Sequence, residues 1–181
     1  MPNRRRAETD RNGPRLRLAS SRLGSPAAPR RWLPDPPMSG APPGSLPPGT
    51  VEVHLRVDSE QGLIEARRRS RELAARAGFT ARDQAIVAAI VSELGRNILL
   101  YARRGEIATR LVEDSRRVGI SIVASDLGPG IRNVPRALTD GFSTVGRPGI
   151  GLPGVRRLAD EFELASGQSA GTQVTVRKWL R

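Results

Sequence analysis

The sequence predicts an α/β fold: a two-layer sandwich with helices gathered on one face of a mixed, mostly antiparallel sheet. Three observations carry that prediction. From Val51 onward the periodicity runs strand, two helices, two strands, irregular loop, helix, strand. The two middle strands are joined only by the polar turn Glu113 to Arg117. The second and last helical patterns each show an apolar stripe, so each has one side to bury against another layer.

The elements justify themselves in order. Residues 1–49 hold 11 of the 15 prolines, few aliphatic residues and no periodicity. Such a segment cannot bury enough surface to offset its ordering entropy, so it is expected to be a disordered Pro/Arg-rich tail, with residues 50–181 as the folded domain. Met38, thirteen residues before the first strand-like segment, is an alternative candidate for the start. Val51, Val53, Leu55 and Val57 then alternate with Glu52, His54 and Arg56, the pattern of a half-buried strand. That places His54, the only histidine, on the polar face with no second metal ligand nearby.

Asp58 with Gln61 has the form of a capping box and opens a helix that Gly78 closes. Its arginines at 67, 68, 69 and 71 read as a solvated face. Thr80 with Asp83 caps a second helix running to about Tyr101, with a core stripe of Ile86, Val87, Ile90, Leu94 and Ile98. Strands follow at Ile107 to Val112 and Val118 to Ala124. Beyond them lie a glycine-rich stretch, a short helix near Val134 to Leu138, and a lid candidate from Asp140 to Pro148. The next helix, Pro153 to Asp160, draws on an apolar pattern at Val155, Leu158, Ala159 and Phe162, and the last strand is Thr172 to Trp179. No internal repeat is visible.

Composition narrows the function. The net charge of +12 raises nucleic acid or an anionic membrane as partners. Of the 30 basic residues, however, only Lys178 is lysine, a bias that a GC-rich coding sequence produces without selection for binding. Few aromatics and no basic run opposite a stacking platform argue against direct nucleic-acid binding. The absence of cysteine removes disulfides, thiolate metal sites and a cysteine nucleophile, and makes a reducing cytoplasm the natural compartment. The longest unbroken apolar run, Ala85 to Val91, is too short to cross a bilayer, and no secretory apolar region follows Arg4 to Arg6.

Chemistry concentrates between Asp126 and Gly154, which hold seven glycines and four prolines after a strand. A strand ending in a carboxylate and opening into glycine turns suits a nucleotide. Asp126 can accept from an exocyclic amine, and glycines leave backbone N–H groups open to phosphate oxygens. Gly149-Ile150-Gly151-Leu152 runs into a helix whose positive end favours an anion. Upstream, Glu93 and Asn97 interrupt an apolar helix at i, i+4, which brings a carboxylate and an amide oxygen to one face. Each signal alone also suits a surface turn or a helix boundary.

Together they occur in one order: Glu93-x-x-x-Asn97, Asp126-x-Gly128-x-Gly130, Gly149-x-Gly151, Gly171-Thr172. In that order the chain resembles the ATP-binding domain of the GHKL superfamily, and the wording SELGRNILLYA, DLGPGI, DGFSTVG, GLPGVRRLADEF and KWLR resembles the switch-kinase branch of its anti-sigma-factor kinases. The resemblance covers about residues 51–181 and implies a Bergerat-type sandwich that binds ATP and Mg²⁺. It implies Asn97 as the magnesium ligand and Glu93 as the base that orients and deprotonates the attacking hydroxyl. Asp126 would read the adenine amine with Thr172 in support. Gly128, Gly130, Ile131, Gly149, Gly151 and Leu152 would shape the loops against base and phosphates. Neither a Walker lysine nor an HRD or DFG motif is present. The lid departs from a small-residue pattern at Arg147-Pro148, which bears on its mobility and on a contact between Arg147 and the terminal phosphate.

The implied activity is serine/threonine phosphorylation of a STAS-domain antagonist in a stress-response, partner-switching pathway, with a downstream phosphatase or sigma factor as further partner. A second reading keeps the nucleotide fold in a module that binds a sigma factor or regulator with little transfer. A third, a separated histidine-kinase catalytic domain, is disfavoured because His54 lies on a strand with no helical hairpin before it. Oligomeric state stays open.

Overall fold

The computed structural model describes residues 15–18, 52–114, 117–139 and 150–181. The lid candidate, Gly149, the Arg147-Pro148 departure and Met38 lie outside those residues. Six strands form one sheet: β1 (Arg15–Leu18), β2 (Glu52–Val57), β3 (Gly105–Asp114), β4 (Arg117–Asp126), β5 (Glu161–Ser166) and β6 (Thr172–Trp179). Their spatial order is β1-β5-β6-β4-β3-β2, antiparallel throughout except for the parallel pair β1 and β5. Helices α1 (Glu60–Arg76), α2 (Ala81–Asn97), α3 (Val134–Ala137) and α4 (Gly151–Leu158) are the α-helices among the described residues. This is the expected α/β sandwich.

The strand alternation of β2 holds: Val53 and Val57 are buried, while His54 is exposed and its Nε2 lies 3.0 Å from Glu106. The start of α1 shifts by one residue. Ser59, rather than Asp58, is the cap, its Oγ accepting from the Gly62 N–H at 3.2 Å, and Asp58 pairs instead with Arg56 at 2.9 Å. A serine hydroxyl reaches the third residue of the helix as well as a carboxylate does, so the capping pattern fits either position. Arg68 and Arg69 lie on an exposed face, both paired with Glu65.

Thr80 caps α2 as expected, accepting from the Asp83 N–H at 3.1 Å. Val87, Ile90, Leu94 and Ile98 face the core, where they meet Ile107, Ile120 and Ile122 of the sheet. A π-helical turn, Ile98–Ala102, extends α2 to the predicted end. The run Ala81–Ala102 spans 22 residues with mean hydropathy 1.5, enough by length and composition to cross a membrane, but it packs against α1 and α4 and carries Glu93 on a buried side. It is the core helix of the sandwich.

Two parts of the sheet were not expected. The apolar pattern assigned to one helix through Phe162 is split: α4 ends at Leu158, Ala159 is extended, and Phe162 lies on β5, fully buried. Asp160 enforces the break, because its carboxylate receives the Trp179 N–H at 2.8 Å and Lys178 Nζ at 3.0 Å. The second is β1. Arg15–Leu18, inside the segment expected to lack order, extends the sheet beside β5 in a register that sets Arg15 opposite Glu161 and Arg17 opposite Glu163.

Candidate active site

Asp126 closes β4, a central strand, and pairs with Gly105 on one side and Thr172 on the other. Its carboxylate is half-buried and accepts the Gly128 N–H at 2.8 Å through Oδ1, with the Thr172 N–H as a second donor. Burial pushes the Asp126 carboxyl above its ordinary value, and the two N–H groups pull it partway back. Gly128 lies where no side chain fits, since a Cβ there would stand 2.7 Å from the Ala102 Cβ. Gly130 turns the loop with φ +72° against the Gly167 carbonyl, a conformation and a spacing that only glycine meets.

Beyond the glycines the loop is tied to the sheet end by a residue that the sequence did not single out. Ser166 Oγ accepts the Ile131 N–H at 2.8 Å, lies 3.0 Å from Thr172 Oγ1, and donates to the Gly171 carbonyl at 3.0 Å. Thr172 therefore reaches Asp126 through its backbone, while its hydroxyl serves Ser166. The alternation Glu161-Phe162-Glu163-Leu164 was the signal that would have placed Ser166 on a strand. Ile131 and Leu152 are half-buried and pack on the core. An open cleft of about 650 Å³ runs between Ile131–Pro135 and Ser166–Gln168, sharing Ile131 and Ser166 with this site and including neither Asp126 nor Glu93.

Glu93 is the charged group with the most specific setting. It is only 8% exposed. Its Oε1 receives Arg96 Nη1 at 2.6 Å, and its Oε2 receives the N–H of Gly151, the first residue of α4, at 3.2 Å. Asn97 stands one turn further on, half-buried at the junction of α2 and the π turn, and makes no side-chain capping bond. The three sequence motifs thus meet at the C-terminal end of α2: Glu93 bonds the start of α4, and Ala102 packs on Gly128 beside Asp126.

The residues present fit a bound nucleotide and a divalent ion. A glycine cradle that a Cβ would fill lies beside a half-buried acceptor, and the Glu93 carboxylate is held at the start of α4. Among the described residues no cluster of three acidic or histidine side chains offers a ready-made metal cage. An amide oxygen such as that of the half-buried Asn97 is a donor that magnesium takes beside water and phosphates.

Sheet order and the placing of these carboxylates and glycines around the end of α2 define a GHKL-type ATP-binding domain. The model of the histidine kinase-like ATPase domain family matches residues 55–178, and the chain belongs to that family. Over 127 residues it is 45% identical to the serine/threonine-protein kinase RsbT of Bacillus subtilis (strain 168), an alignment covering 70% of this chain and 96% of that one. It is a homologue of the RsbT-type anti-sigma-factor kinases, the switch-kinase branch. The crystal structure of the RsbU and RsbW domains of Rv1364c from Mycobacterium tuberculosis matches with a TM-score of 0.48 and 19% identity, covering 71% of this chain and 32% of that one.

Proposed function

We propose that the chain is an ATP-dependent serine/threonine protein kinase that phosphorylates a small STAS-domain antagonist and so regulates a sigma factor through partner switching. A downstream phosphatase or sigma factor is the next partner, and the cytoplasm is the place of action. The observation that carries this reading is the bond between Glu93 Oε2 and the Gly151 N–H, which sets a carboxylate directly against the helix start where phosphate oxygens would lie. A module that only binds its partner has no need of a carboxylate there.

ATP, when bound, would supply the phosphoryl group to the substrate hydroxyl oxygen with ADP as the leaving group, and magnesium would offset the phosphate charge. The chain's own residues do the rest. Glu93 orients the serine or threonine hydroxyl and takes its proton. Asn97 offers its amide oxygen to the ion. Asp126 accepts from the adenine amine, while Thr172 and Gly128 hold the carboxylate in place. Gly130, Ile131, Gly151 and Leu152 shape the loops against base and phosphates.

The test is a pull-down with the full chain in the presence of ATP and Mg²⁺, followed by mapping of phosphorylated residues on what copurifies. Phosphoserine or phosphothreonine on a STAS-domain protein is expected. Stable capture of a regulator with no phosphate transferred to it would give the binding module its place.

A further inference from the structure

We propose that Arg96 is a positioning residue for phosphoryl transfer, fixing the Glu93 carboxylate between its own guanidinium and the first N–H of α4. The proposal rests on the reading of Glu93 as the base. Arg96 lies one turn after Glu93 on α2, and its Nη1 stands 2.6 Å from Glu93 Oε1. The two ends of this ion pair have unlike surroundings: the Arg96 side chain is 57% exposed and the Glu93 side chain 11%. Arginine pairs elsewhere on the helices, such as Arg69 with Glu65, engage a more open carboxylate and contribute little. A carboxylate withdrawn from water needs a partner for its charge, and Arg96 supplies it from the solvent side.

Direction follows from the second bond. A glutamate side chain has three rotatable bonds, and a single tether leaves its carboxylate free to swing. With Arg96 on one oxygen and the Gly151 N–H on the other, both ends of the carboxylate are fixed. Each oxygen keeps a lone pair beyond the one engaged, so the group remains able to accept a hydroxyl proton along a set direction. Loss of Arg96 leaves the base present but poorly aimed. Misplacement of a catalytic group on the ångström scale costs up to about a hundredfold in rate.

The experiment uses the full chain with Arg96→Ala, Arg96→Lys, Glu93→Gln and the Arg96→Ala/Glu93→Gln pair. Without nucleotide, ¹⁵N-glycine labelling reads the Gly151 amide, which is expected to shift in Glu93→Gln and in Arg96→Ala. With ATP and Mg²⁺ as the probe and water as the phosphoryl acceptor, single-turnover hydrolysis to ADP and phosphate is expected to slow about 10- to 100-fold in Arg96→Ala, with ATP affinity within about twofold of the parent and part of the loss recovered by Arg96→Lys. The double variant should be no slower than Glu93→Gln alone, because Arg96 acts through Glu93. A parent rate and an unmoved Gly151 resonance in Arg96→Ala would overturn the proposal. So would a double variant slower than Glu93→Gln by the full Arg96 factor. If Glu93→Gln itself keeps the parent rate, the base reading falls, and a shifted amide then leaves Arg96 as a structural anchor only.

Discussion

Replacing Asp126 by asparagine separates two consequences of one half-buried charge. Asparagine keeps the size of the side chain and an oxygen able to accept the Gly128 N–H, now 2.8 Å from Oδ1. It replaces the other acceptor with an NH₂ group, which on the proposed reading faces the adenine amine donor to donor. Losing a hydrogen bond to a charged acceptor costs about 1.5–3 kcal/mol, so ATP affinity is expected to fall roughly ten- to a hundredfold. Stability moves the other way. Burial raises the Asp126 carboxyl above its ordinary value, so this group's favourable contribution is fully present below the unfolded pKa of about 3.9 and is lost as pH rises through the folded value. At pH 7 to 8 the ionised carboxylate therefore costs the nucleotide-free fold something that a neutral amide does not. The variant should melt at or above the parent temperature there, with its advantage fading toward pH 4. Calorimetric titration with ATP and thermal melts across that pH range measure both. Unchanged ATP affinity would remove Asp126 from the site, and a lower melt at pH 7 would refute the claim that its charge is carried at a cost.

Other expectations are as specific. Glu93→Gln should bind ATP almost as the parent does and slow transfer by about 10² to 10⁴, whereas Asn97→Ala should weaken Mg²⁺-dependent ATP binding itself; equal behaviour of the two would undo the division of roles. Asp160→Asn should destabilise the fold by up to ~3 kcal/mol at pH 7, since it leaves Lys178, 4% exposed, without its carboxylate. Asp160 is itself half-buried, which would raise its carboxyl, but the Trp179 N–H, Lys178 and Arg181 hold it below the ordinary value, so the gap to the parent should close as pH falls through the folded value. A chain beginning at Gly49 should keep a cooperative melt and ATP binding while β5 amides exchange faster, because only β1 is lost from the sheet; aggregation of that chain would show the first 48 residues to be part of the fold.

How much of this was legible in the sequence depended on whether a pattern had one structural solution. The alternation from Val53 to Val57 fits only a strand, and Thr80 ahead of Asp83 fits only a helix start, so β2 and α2 lie where the pattern puts them. Phe162 satisfies two periods at once. It is seven residues after Val155, as on a helix, and two before Leu164, as on a strand. What decides is Asp160, whose partners Lys178 and Trp179 lie 18 and 19 residues away. Local pattern cannot see such partners. Arg96 was hidden for a related reason: among so many arginines nothing local distinguishes the one whose partner is buried. The bond that joins Glu93 to Gly151 spans 58 residues and exists only once α4 is laid against α2.

The two carboxylates of the site differ in a way that bears on their roles. Glu93 has a cation on one oxygen and an N–H on the other, so its charge is compensated and its direction set before any substrate arrives. Asp126 is held by the backbone N–H groups of Gly128 and Thr172. A buried charge so lightly compensated retains strong acceptor capacity, and a neutral amine donor can use it without displacing a salt bridge. An ion pair at Asp126 would have to be broken for adenine to enter, and Glu93 without Arg96 would be a buried carboxylate without a partner for its charge. An arginine beside Glu93, with backbone N–H groups on Asp126, is thus the arrangement that a proton acceptor and an adenine reader each require.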